Sequence, residues 1–519
     1  MDCGGEIVST LLVALLVVPF VAAGVCLIAP PTAGRILTAG VGVGSFGAVL
    51  ALVTATRAHS VAAGFLRVDA VSTIFLLATA LVYATVALYA IGYLRPEHVD
   101  RRYCRRILAG INLFAWALLA APMVNGFTLL WVAVELTTVI SALLVAIDDT
   151  DAATEAAWKY VLIASAGLGL ALFGTVFYYY AGSQVLGTSY TFTFDALTMH
   201  SAGLPHTAVR LGFVLAVLGF GTKVGFFPVH TWLPDAHSEA PTPVSALLSG
   251  SLLAVSFYAI LRFYQVAVAT LGAAFPRQVL LAFGIASLAL AALYLLDQRD
   301  IKRLLAYSSI EHMGILAVGM SFGARIAVVG VLLHVLAHAA AKGNAFMGAG
   351  VFVRAFGTKD LTAMRRGFTV LPWSAPLFLL AILALAAAPP FGIFRSEFYI
   401  VAGGLAAGHS GTVAVLVALV ILAFAGLTWT TTALVFPADE AGITTASASL
   451  SSNAADGRTS DESIAKTPDR PTPRLGREFS AWLVIPPVLG LAVLVLLGMH
   501  PPASLIDLLT RGAVELGGG

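Results

Sequence analysis

Long apolar stretches follow one another along almost the whole chain, separated by short polar segments. Each stretch is about 20 residues long, which is the length that a helix needs to cross the hydrocarbon core of a bilayer. The stretches lie near residues 8–28, 34–56, 70–92, 107–122, 126–147, 158–180, 208–228, 241–264, 278–296, 301–321, 325–353, 371–394, 411–436 and 480–499. The pattern predicts an all-α integral membrane protein with about 14 transmembrane helices.

Two of these stretches carry helix-breaking residues. In the seventh stretch, Gly225 and Pro228 follow a lysine, and a proline removes a backbone donor from a helix. In the twelfth stretch, Pro389, Pro390 and Gly392 precede a glutamate. Interrupted helices in the two halves of a chain are typical of transporters that are built from inverted repeats with an ion site near the bilayer midplane. We therefore expect two inverted five-helix repeats that contain broken helices.

The segment at 437–479 differs in composition from the rest of the chain. It is rich in Ser, Thr, Asp, Arg and Pro and has no apolar face, which is typical of disordered linkers. The predicted organisation is a three-helix segment over 1–105, a first repeat over 106–265, a second, inverted repeat over 276–436, a disordered cytoplasmic linker over 437–479, and a transmembrane helix with its tail over 480–519.

Composition agrees with a membrane protein and argues against other classes. Of the 519 residues, 59% are hydrophobic and 11% are charged, whereas soluble domains carry about 25% charged residues. The net charge of +2 gives no reason to expect a nucleic acid as a partner. Cys3, Cys26 and Cys104 are too scattered for a disulfide framework, a zinc site or an iron–sulfur cluster. We expect no cofactor and no metal in this chain.

The basic residues predict an orientation. When the spans are joined alternately, most arginines and lysines fall on one side, with clusters at 101–106 and 299–303. The positive-inside rule makes that side cytoplasmic, so both termini are external. No basic residue precedes the first stretch, which therefore reads as a span and not as a secretory signal. The Ala-, Gly- and Arg-rich usage indicates a GC-rich bacterial genome, so we expect the protein in a bacterial plasma membrane.

Lys223 lies within an otherwise apolar stretch. A lysine at the bilayer centre costs about 2.5–3.5 kcal/mol on insertion scales, so it needs a counter-charge, a water-filled cavity or a role in transport. Glu135, in the middle of the fifth stretch, is the candidate counter-ion. Pairing and separation would give the lysine two states, as a proton donor needs. The alternative is a static buried ion pair that only fixes helix packing.

His334, His338 and Lys342 recur every four residues and therefore share one face of the eleventh helix. Histidine titrates near physiological pH, which suits a proton relay. The alternative for any one of them is a hydrogen-bonded packing residue. The two histidines could bind zinc, but the sequence supplies no third ligand. We therefore expect a relay and no metal site.

Other polar residues extend these two groups. Glu397 follows the second helix break, near Arg395, and is a candidate terminal proton-exchange group or a charge at the membrane edge. Glu311 and His312 form an adjacent acid–imidazole pair inside the tenth stretch. His230 follows the first break closely enough to extend a relay from the lysine.

A further set of polar residues is expected at the cytoplasmic surface. Asp235, His237 and Glu239 lie in a proline-rich segment and are expected at a cytoplasmic mouth or in hydrogen bonds with loop backbone. Lys302 and Arg303 open the tenth span and are expected to anchor it at the lipid headgroups.

Several motifs together resemble those of a known family. The run Thr-Lys-Val-Gly-Phe-Phe-Pro-Val-His-Thr-Trp-Leu-Pro-Asp-Ala-His-Ser-Glu-Ala-Pro begins at residue 222, and the segments at 300–314, 338–342 and 389–397 follow it. In this order they resemble the antiporter-like membrane subunits shared by respiratory complex I, Mrp cation/proton antiporters and membrane-bound hydrogenases. The likeness covers residues from about 70 to 436. Ser-Ile-Glu311-His312 and Phe-Arg-Ser-Glu397-Phe are most similar to the hydrogenase-4 component F branch.

The resemblance implies roles for the candidate residues. It implies fourteen helices with two inverted five-helix repeats and an ion pair between Glu135 and Lys223 in the first half-channel. It also implies a relay over His334, His338 and Lys342 in the second half and an exit group at Glu397. These roles are expectations for the structure.

One departure from the family pattern concerns the eighth span. Many relatives carry a lysine where this chain has Ala254, and alanine holds no proton. Either water bridges the gap, helped by Ser249, Ser251 or Ser256, or the path is interrupted.

The function implied by the resemblance is translocation of H⁺ or Na⁺ by one membrane subunit of a hydrogenase-4- or formate hydrogenlyase-like redox complex related to complex I. Nickel–iron and iron–sulfur centres would then lie in partner membrane and peripheral subunits. The alternatives are a subunit of a Mrp-type monovalent cation/proton antiporter, a subunit of an inorganic-carbon uptake complex with a soluble zinc partner, and a scaffold that does not conduct.

Overall fold

The computed structural model describes residues 3–56, 60–95, 99–364, 367–435 and 479–518, and these residues are mostly helical. The helices are α1 (Cys3–Ile28), α2 (Pro31–Thr56), α3 (Ala70–Tyr93), α4 (Arg101–Met123), α5 (Phe127–Val145), α6 (Asp151–Leu186), α7 (Phe194–Met199), α8 (His206–Val224), α9 (Trp232–Glu239), α10 (Thr242–Leu247), α11 (Leu253–Leu271), α12 (Ala274–Tyr294), α13 (Ile301–Phe322), α14 (Arg325–Phe356), α15 (Gly367–Val370), α16 (Ser374–Leu385), α17 (Gly392–Ala406), α18 (Ser410–Val435), α19 (Ala481–Met499) and α20 (Ala503–Glu515).

Twelve of the described helical segments are long and apolar enough to cross a membrane. They coincide with all the predicted spans except the tenth and the twelfth. The tenth is α13, a helix of 22 residues, and the twelfth is divided into α16 and α17. The all-α membrane architecture is therefore confirmed, and the exact number of crossings stays a prediction.

The helix of the seventh span ends one residue after Lys223. α8 ends at Val224, and Gly225 follows with φ of 86°, a left-handed conformation that glycine adopts without a Cβ clash. The N–H of Gly225 donates to the carbonyl of Gly221 at 2.9 Å. The chain then turns without regular helix until Trp232, where α9 begins. The lysine thus lies in the last turn of a helix that stops inside the bundle.

The twelfth span has a corresponding interruption. α16 ends at Leu385 and α17 begins at Gly392. The segment between them contains Pro389 and Pro390, which are joined by a cis peptide bond, as are Phe227 and Pro228 in the first break. In both breaks the prolines are exposed at the surface of the bundle, whereas Gly225, Phe226 and Phe391 beside them are buried.

The centre of the bundle is formed by two segments. α10 and α11 are joined by a π-helical turn over Leu248–Leu252, and every residue from Thr242 to Tyr264 is buried. α14 contacts α3, α13, α16, α17, α19 and α20. On one side of this centre, α6 packs closely on α8, since a Cβ at Gly219 would lie 2.6 Å from the carbonyl oxygen of Gly167. This approach brings the polar residues of α6 to the end of α8.

Two elements were not predicted from the apolar pattern. Strands β1 (Val61–Ala63) and β2 (Leu66–Val68) form an antiparallel hairpin before α3. The residues after α19, which were expected to form a tail, fold into the amphipathic helix α20. This helix packs against α3 and α14, and its Glu515 accepts a hydrogen bond of 3.1 Å from the N–H of Val71.

Most of the predicted disordered linker at 437–479 lies outside the described residues, which resume at Phe479. The predicted segment boundaries at 105/106 and after 265 fall inside α4 and α11. The division into two inverted repeats stays a prediction.

Candidate functional site

Lys223 is completely buried at the end of α8, and neutral hydroxyl groups surround its ammonium. The Nζ donates to the hydroxyl of Tyr160 at 2.7 Å and to Oγ1 of Thr138 at 3.0 Å. Ser141 donates to the carbonyl of Thr137 and lies 2.7 Å from the Tyr160 hydroxyl. Because the single proton of Ser141 is used in that way, Tyr160 donates to Ser141 and accepts from Lys223. The lysine is therefore held by a chain of hydroxyls from α5 and α6.

Glu135 does not form the expected ion pair with Lys223. Its Oε1 accepts a hydrogen bond of 3.1 Å from Ser165, and its Oε2 has no hydrogen-bond partner in the described residues. The carboxylate lies one helical turn before Thr138 on α5. The lysine and the glutamate are therefore separated in the structure. The predicted direct ion pair between Glu135 and Lys223 is wrong.

His230 lies in the non-helical segment after α8 and is mostly buried, with 7% of its surface exposed. No hydrogen bond joins it to Lys223, and its Nδ1 has no partner in the described residues. Trp232 instead closes this side of the lysine. Its ring stacks on Tyr160 at 4.3 Å, and its Nε1 donates to the carbonyl of Thr222. A role for His230 in a relay stays a prediction.

The second cluster contains His312, His334 and Ser396, which come from α13, α14 and α17. Ser396 donates to the carbonyl of Ile393 at 2.7 Å, so its oxygen accepts from Nδ1 of His334 at 2.9 Å. Nε2 of His334 then carries a lone pair and accepts from Nδ1 of His312 at 3.1 Å. The hydrogen bonds therefore have one direction, from His312 through His334 and Ser396.

A glycine allows this arrangement. A Cβ at Gly330, one turn before His334, would lie 2.8 Å from the carbonyl oxygen of Ser396. α17 can approach α14 closely only because the glycine has no side chain. The serine hydroxyl consequently reaches the imidazole.

The remaining members of the second cluster are buried with few partners. The Nζ of Lys342 donates to the carbonyl of Leu305 at 2.9 Å and forms no ion pair with Glu311. Glu311 is 4% exposed, and its Oε2 has no hydrogen-bond partner in the described residues. His338 is completely buried, both of its ring nitrogens lack described partners, and its ring lies 5.2 Å from that of His312. His334, His338 and Lys342 do face the same region, as the spacing predicted.

Glu397 lies at the edge of this cluster. It lines an apolar cavity of about 440 Å³ together with Phe394 and Phe398. Its carboxylate and one nitrogen each of His312 and His334 all lie within 4.8 Å of one another. The sequence suggested His334 and His338 as the possible pair of metal ligands, whereas the structure brings His334 together with His312 and Glu397 from two other helices. Arg395 turns away from Glu397 and donates to Tyr399.

Hydrogen bonds connect the segment before Ala254 to the second cluster. Ser249 lies 2.7 Å from Ser309. Ser309 donates to the carbonyl of Leu305, which also accepts from Lys342. Ser249 is thus linked to the oxygen that holds Lys342.

The other two serines near Ala254 differ in their bonding. Ser256 donates to the carbonyl of Leu252 in its own helix. The hydroxyl of Ser251 has no partner in the described residues. Of the three serines that were expected to help bridge the gap, Ser249 alone is bonded to a neighbouring helix in the described part of the chain.

The proline-rich segment places its polar residues in two environments. Asp235 pairs with Arg303 at 2.5 Å, and Glu239 pairs with Lys359 at 2.8 Å, near one surface of the bundle. His237 was expected there too, but it is completely buried, stacks on Phe346 at 4.9 Å and has no partner for either ring nitrogen in the described residues. One face of the short helix α9 is therefore partly exposed and the other is buried.

Lys302 also departs from its predicted position. It is 5% exposed and donates to the carbonyls of Ala240 and Ser238 at 2.7 and 3.4 Å. It therefore caps the end of α9 and does not anchor α13 at the headgroups. Arg303, with 46% of its side chain exposed, is accessible as expected.

A polar cavity of about 660 Å³ opens beside Lys302. Its lining includes Asp100, Asp148, Glu239 and Lys359, in the segments that were predicted to be cytoplasmic.

The opposite end of the bundle carries a buried ion pair. Arg262 donates to Asp69 at 2.7 Å, both side chains are 2% exposed, and Arg67 donates to the second oxygen of Asp69. Burial opposes ionisation of this carboxyl, but the two guanidiniums and the N–H of Ser72 more than offset it and hold the pKa of Asp69 well below its ordinary range. Because Asp69 precedes α3, the pair fixes α11 to the start of α3.

The functional residues that sequence reasoning missed are mostly neutral. Thr138, Tyr160 and Ser396 hold the buried lysine and imidazole but carry no charge that marks them in an apolar stretch. Ser396 directly precedes Glu397 in the sequence, which is a usable signal. Tyr160 had no comparable signal, because it is 63 residues from Lys223.

Comparison with known proteins gives a family match over much of the chain. The family model described as NADH:quinone oxidoreductase/Mrp antiporter, transmembrane, matches residues 124–423, which is more than half of the sequence. This range contains Glu135, Lys223, Lys342 and Glu397. Both clusters therefore lie within the matched region.

Two relatives illustrate the range of proteins to which the chain is similar. A hydrogenase-4 component F homolog from Methylacidiphilum infernorum (isolate V4) is 38% identical over 357 residues, which are 66% of this chain and 73% of that protein. A protein from Rhizobium meliloti (strain 1021), named as part of a probable K⁺/H⁺ antiporter, is 32% identical over 335 residues, which are 64% of this chain and 32% of that protein. The chain thus spans about a third of the second relative.

The fold is shared with a solved structure. A chain in the structure of the Mrp complex from Dietzia sp. DQ12-45-1b superposes with a TM-score of 0.81 at 20% identity, covering 100% of this chain and 98% of that chain. At this identity the likeness shows the fold alone.

Proposed function

Because the chain belongs to the NADH:quinone oxidoreductase/Mrp antiporter transmembrane family, we propose that it translocates H⁺ or Na⁺ as one membrane subunit of a hydrogenase-4- or formate hydrogenlyase-like redox complex. It is an antiporter-like, multi-pass membrane subunit of the complex I/Mrp type. We place it in a bacterial plasma membrane with both termini external. The redox chemistry would occur in partner subunits that hold nickel–iron and iron–sulfur centres.

The observation that carries this proposal is the buried Lys223, which has no ion-pair partner among the described residues. A desolvated ammonium held only by Tyr160 and Thr138 is poised between two states. In one state it stays in the hydroxyl cage, and in the other it moves toward the carboxylate of Glu135, whose Oε2 has no described partner. A residue with two such states can couple ion movement to a partner subunit, because that subunit can favour either position of the ammonium.

The second cluster supplies the continuation. Lys342, Glu311 and the hydrogen-bonded pair of His312 and His334 form a set of exchangeable groups between α13 and α14. Glu397 ends this set at a cavity. A proton that reaches Lys342 has imidazole nitrogens and carboxylates within the same region, and the apolar helices around them exclude competing routes.

The gap at Ala254 is bridged in this proposal by Ser249 and water. Ser249 reaches Ser309, which shares a carbonyl acceptor with Lys342. The neighbouring Ser251 hydroxyl has no described partner and would bind a water molecule there. The path is therefore continuous only when this region is hydrated.

A second candidate is a cation/proton antiporter subunit that works without redox partners. The similarity to the Rhizobium meliloti protein favours it. A subunit of an inorganic-carbon uptake complex with a soluble zinc partner is the third alternative. All three share the same ion path and differ in what drives it.

Purification of the intact complex from native membranes distinguishes these functions. We expect subunits with nickel–iron and iron–sulfur centres to accompany the chain. Small hydrophobic Mrp-type subunits alone would instead establish the antiporter, and a soluble zinc protein resembling carbonic anhydrase would establish the carbon-uptake complex.

Replacement of Lys223 tests the ion path itself. In vesicles that contain the assembled complex, Lys223→Ala should abolish ion uptake, whereas Lys159→Ala, at a half-exposed lysine of α6, should leave it unchanged. Unchanged uptake in Lys223→Ala at unchanged complex abundance would contradict the proposal.

A further inference from the structure

Three helices bring together a set of side chains that are known ligands of transition metals. His312 on α13, His334 on α14 and Glu397 on α17 place one donor atom each within 4.8 Å of one another. Both histidines are completely buried. Two imidazoles and one carboxylate are the protein ligands of a common kind of zinc site.

The histidine on α14 is already oriented for such a role. Nδ1 of His334 donates to Ser396, so its Nε2 presents a lone pair to His312. Metal-binding histidines usually donate the second ring N–H to an outer partner, which fixes the tautomer and the ring orientation. Ser396 is that partner here, and it is fixed in turn by the carbonyl of Ile393.

The spacing of the two imidazoles fits a small metal ion. Zn²⁺ at about 2.0–2.1 Å from each of four tetrahedral ligands separates neighbouring donor atoms by about 3.3 Å. Nδ1 of His312 and Nε2 of His334 are 3.1 Å apart. A carboxylate oxygen of Glu397 lies within 4.8 Å of one nitrogen of each histidine, so reaching a spacing of about 3.3 Å from those nitrogens requires a shift of at most roughly 1.5 Å, and Glu397 borders a cavity.

A second observation points to a ligand in the same place. His338 is completely buried, neither of its ring nitrogens has a partner in the described residues, and its ring lies 5.2 Å from that of His312. Buried polar groups without partners are uncommon, because each one loses its hydration without a replacement. A bound ion with a coordinated water molecule would supply a partner for one nitrogen of His338.

We propose that His312, His334 and Glu397 form a Zn²⁺ site, with a water molecule or His338 in the fourth position. This goes beyond the proposed function, because ion translocation does not require a metal. The ion lies where the hydrogen bond between the two imidazoles would be, and the single N–H proton of His312 moves from Nδ1 to Nε2 as the tautomer changes. An occupied site holds α13, α14 and α17 together and interrupts exchange along the second cluster.

The direct test is metal binding by the purified full chain in detergent, prepared without a polyhistidine tag. Titration with Zn²⁺, followed by metal analysis, should give one tightly held ion per chain. His312→Gln, His334→Gln and Glu397→Gln should each lose that ion. His237→Gln, which alters a buried histidine outside the site, should retain it. Absence of a tight ion in the wild-type chain, or an unchanged ion in all three variants, would overturn the proposal.

Spectroscopy of the wild-type chain gives a result that does not depend on variants. X-ray absorption at the zinc edge should show only nitrogen and oxygen ligands at about 2.0–2.1 Å, with the scattering pattern of two imidazoles. Co²⁺ in place of Zn²⁺ should give the absorption of a four-coordinate site. Sulfur ligands, or a shell of oxygen alone, would show that the metal binds elsewhere. Neither measurement depends on ion transport. Both therefore test the zinc site even if the proposed transport function is wrong.

Discussion

The ammonium of Lys223 lies 2.7 Å from the hydroxyl of Tyr160, while the carboxylate of Glu135 is bonded to Ser165 on the same helix as the tyrosine. α6 therefore holds both members of the expected ion pair apart. This differs from a static salt bridge, in which the two charges would neutralise each other and fix the helices. The separated arrangement leaves the lysine free to change partners.

Tyr160→Phe should reduce ion uptake by about tenfold or more. A hydrogen bond to a charged group contributes about 1.5–3 kcal/mol, and loss of that amount from one state of Lys223 changes its population by at least about tenfold. Uptake is measured in vesicles at equal complex abundance. Tyr180→Phe, at an exposed position of α6, is the matched control, and equal uptake in both variants would contradict a role for the hydroxyl.

Glu135→Gln should reduce ion uptake while leaving the unfolding temperature nearly unchanged. The glutamine keeps the acceptor for Ser165 and removes the charge to which the lysine moves. Breaking a buried ion pair costs about 3–5 kcal/mol, but no such pair is present here. Thermal unfolding of the purified chain and uptake by the complex are compared. A large loss of thermal stability would mean that Glu135 and Lys223 are paired after all.

Ser249→Ala should slow ion uptake, and Ser256→Ala should not. The Ser249 hydroxyl bonds to Ser309 on another helix, whereas the Ser256 hydroxyl bonds only to the carbonyl of Leu252 in its own helix. The two substitutions remove the same atom at completely buried positions about two helical turns apart, so they match in size and burial. The expected decrease for Ser249→Ala is up to about tenfold, because a hydrogen bond between neutral groups contributes about 0.5–1.5 kcal/mol. Equal rates for the two variants would argue against a path through Ser249.

The ion pair of Asp69 and Arg262 should make the fold sensitive to acid. The pKa of Asp69 is held below its ordinary range, so its stabilisation is fully present above the unfolded pKa of about 3.9 and is lost as the pH falls further toward the folded value. The unfolding temperature, measured from pH 6 to pH 3, should decrease once the pH is below about 4. Asp69→Asn should be less stable at pH 7 and should lose most of this dependence. Asp360→Asn, at an exposed cap, should retain it.

Glu515→Gln should raise the unfolding temperature at pH 7. Burial, together with the negative charge of Asp69, raises the pKa of Glu515. A raised carboxyl pKa gives stability that is present below the unfolded value of about 4.3 and is lost as the pH rises through the folded value. Glutamine can still accept from the N–H of Val71. The increase in unfolding temperature should vanish near pH 4. A lower unfolding temperature at pH 7 would show that the hydrogen bond from Arg511 to the Glu515 carboxylate outweighs the cost of burying this charge.

The apolar spans and both helix breaks could be placed from the sequence because they depend on local composition. A run of about 20 apolar residues is sufficient to indicate a crossing, and Gly225 with Pro228 is sufficient to indicate an interruption. The amphipathic helix α20 was missed, because it is short and its apolar face is covered by α3 and α14. The apolar pattern alone does not show where such a helix docks.

The sequence predicted the charged residues of the candidate site but not the hydrogen bonds that hold them. Lys223, Lys342 and Glu397 are conspicuous because a charge in an apolar stretch is costly. His237 and Lys302 were assigned to the surface, since a proline-rich segment and a helix start usually lie there. Both are buried, because α9 folds back into the bundle and its carbonyl end needs a donor.

The sequence by itself determined the class of the protein, the order of its spans and the identity of Lys223, Lys342 and Glu397 as charges within apolar stretches, because these follow from residue types within a single turn or span. Only the tertiary structure decided which groups hold those charges. Tyr160 is 63 residues from Lys223, and Ser396 is 62 residues from His334. Hydrogen bonds act over about 3 Å, so such partners are set by the packing of separate helices and not by spacing along the chain.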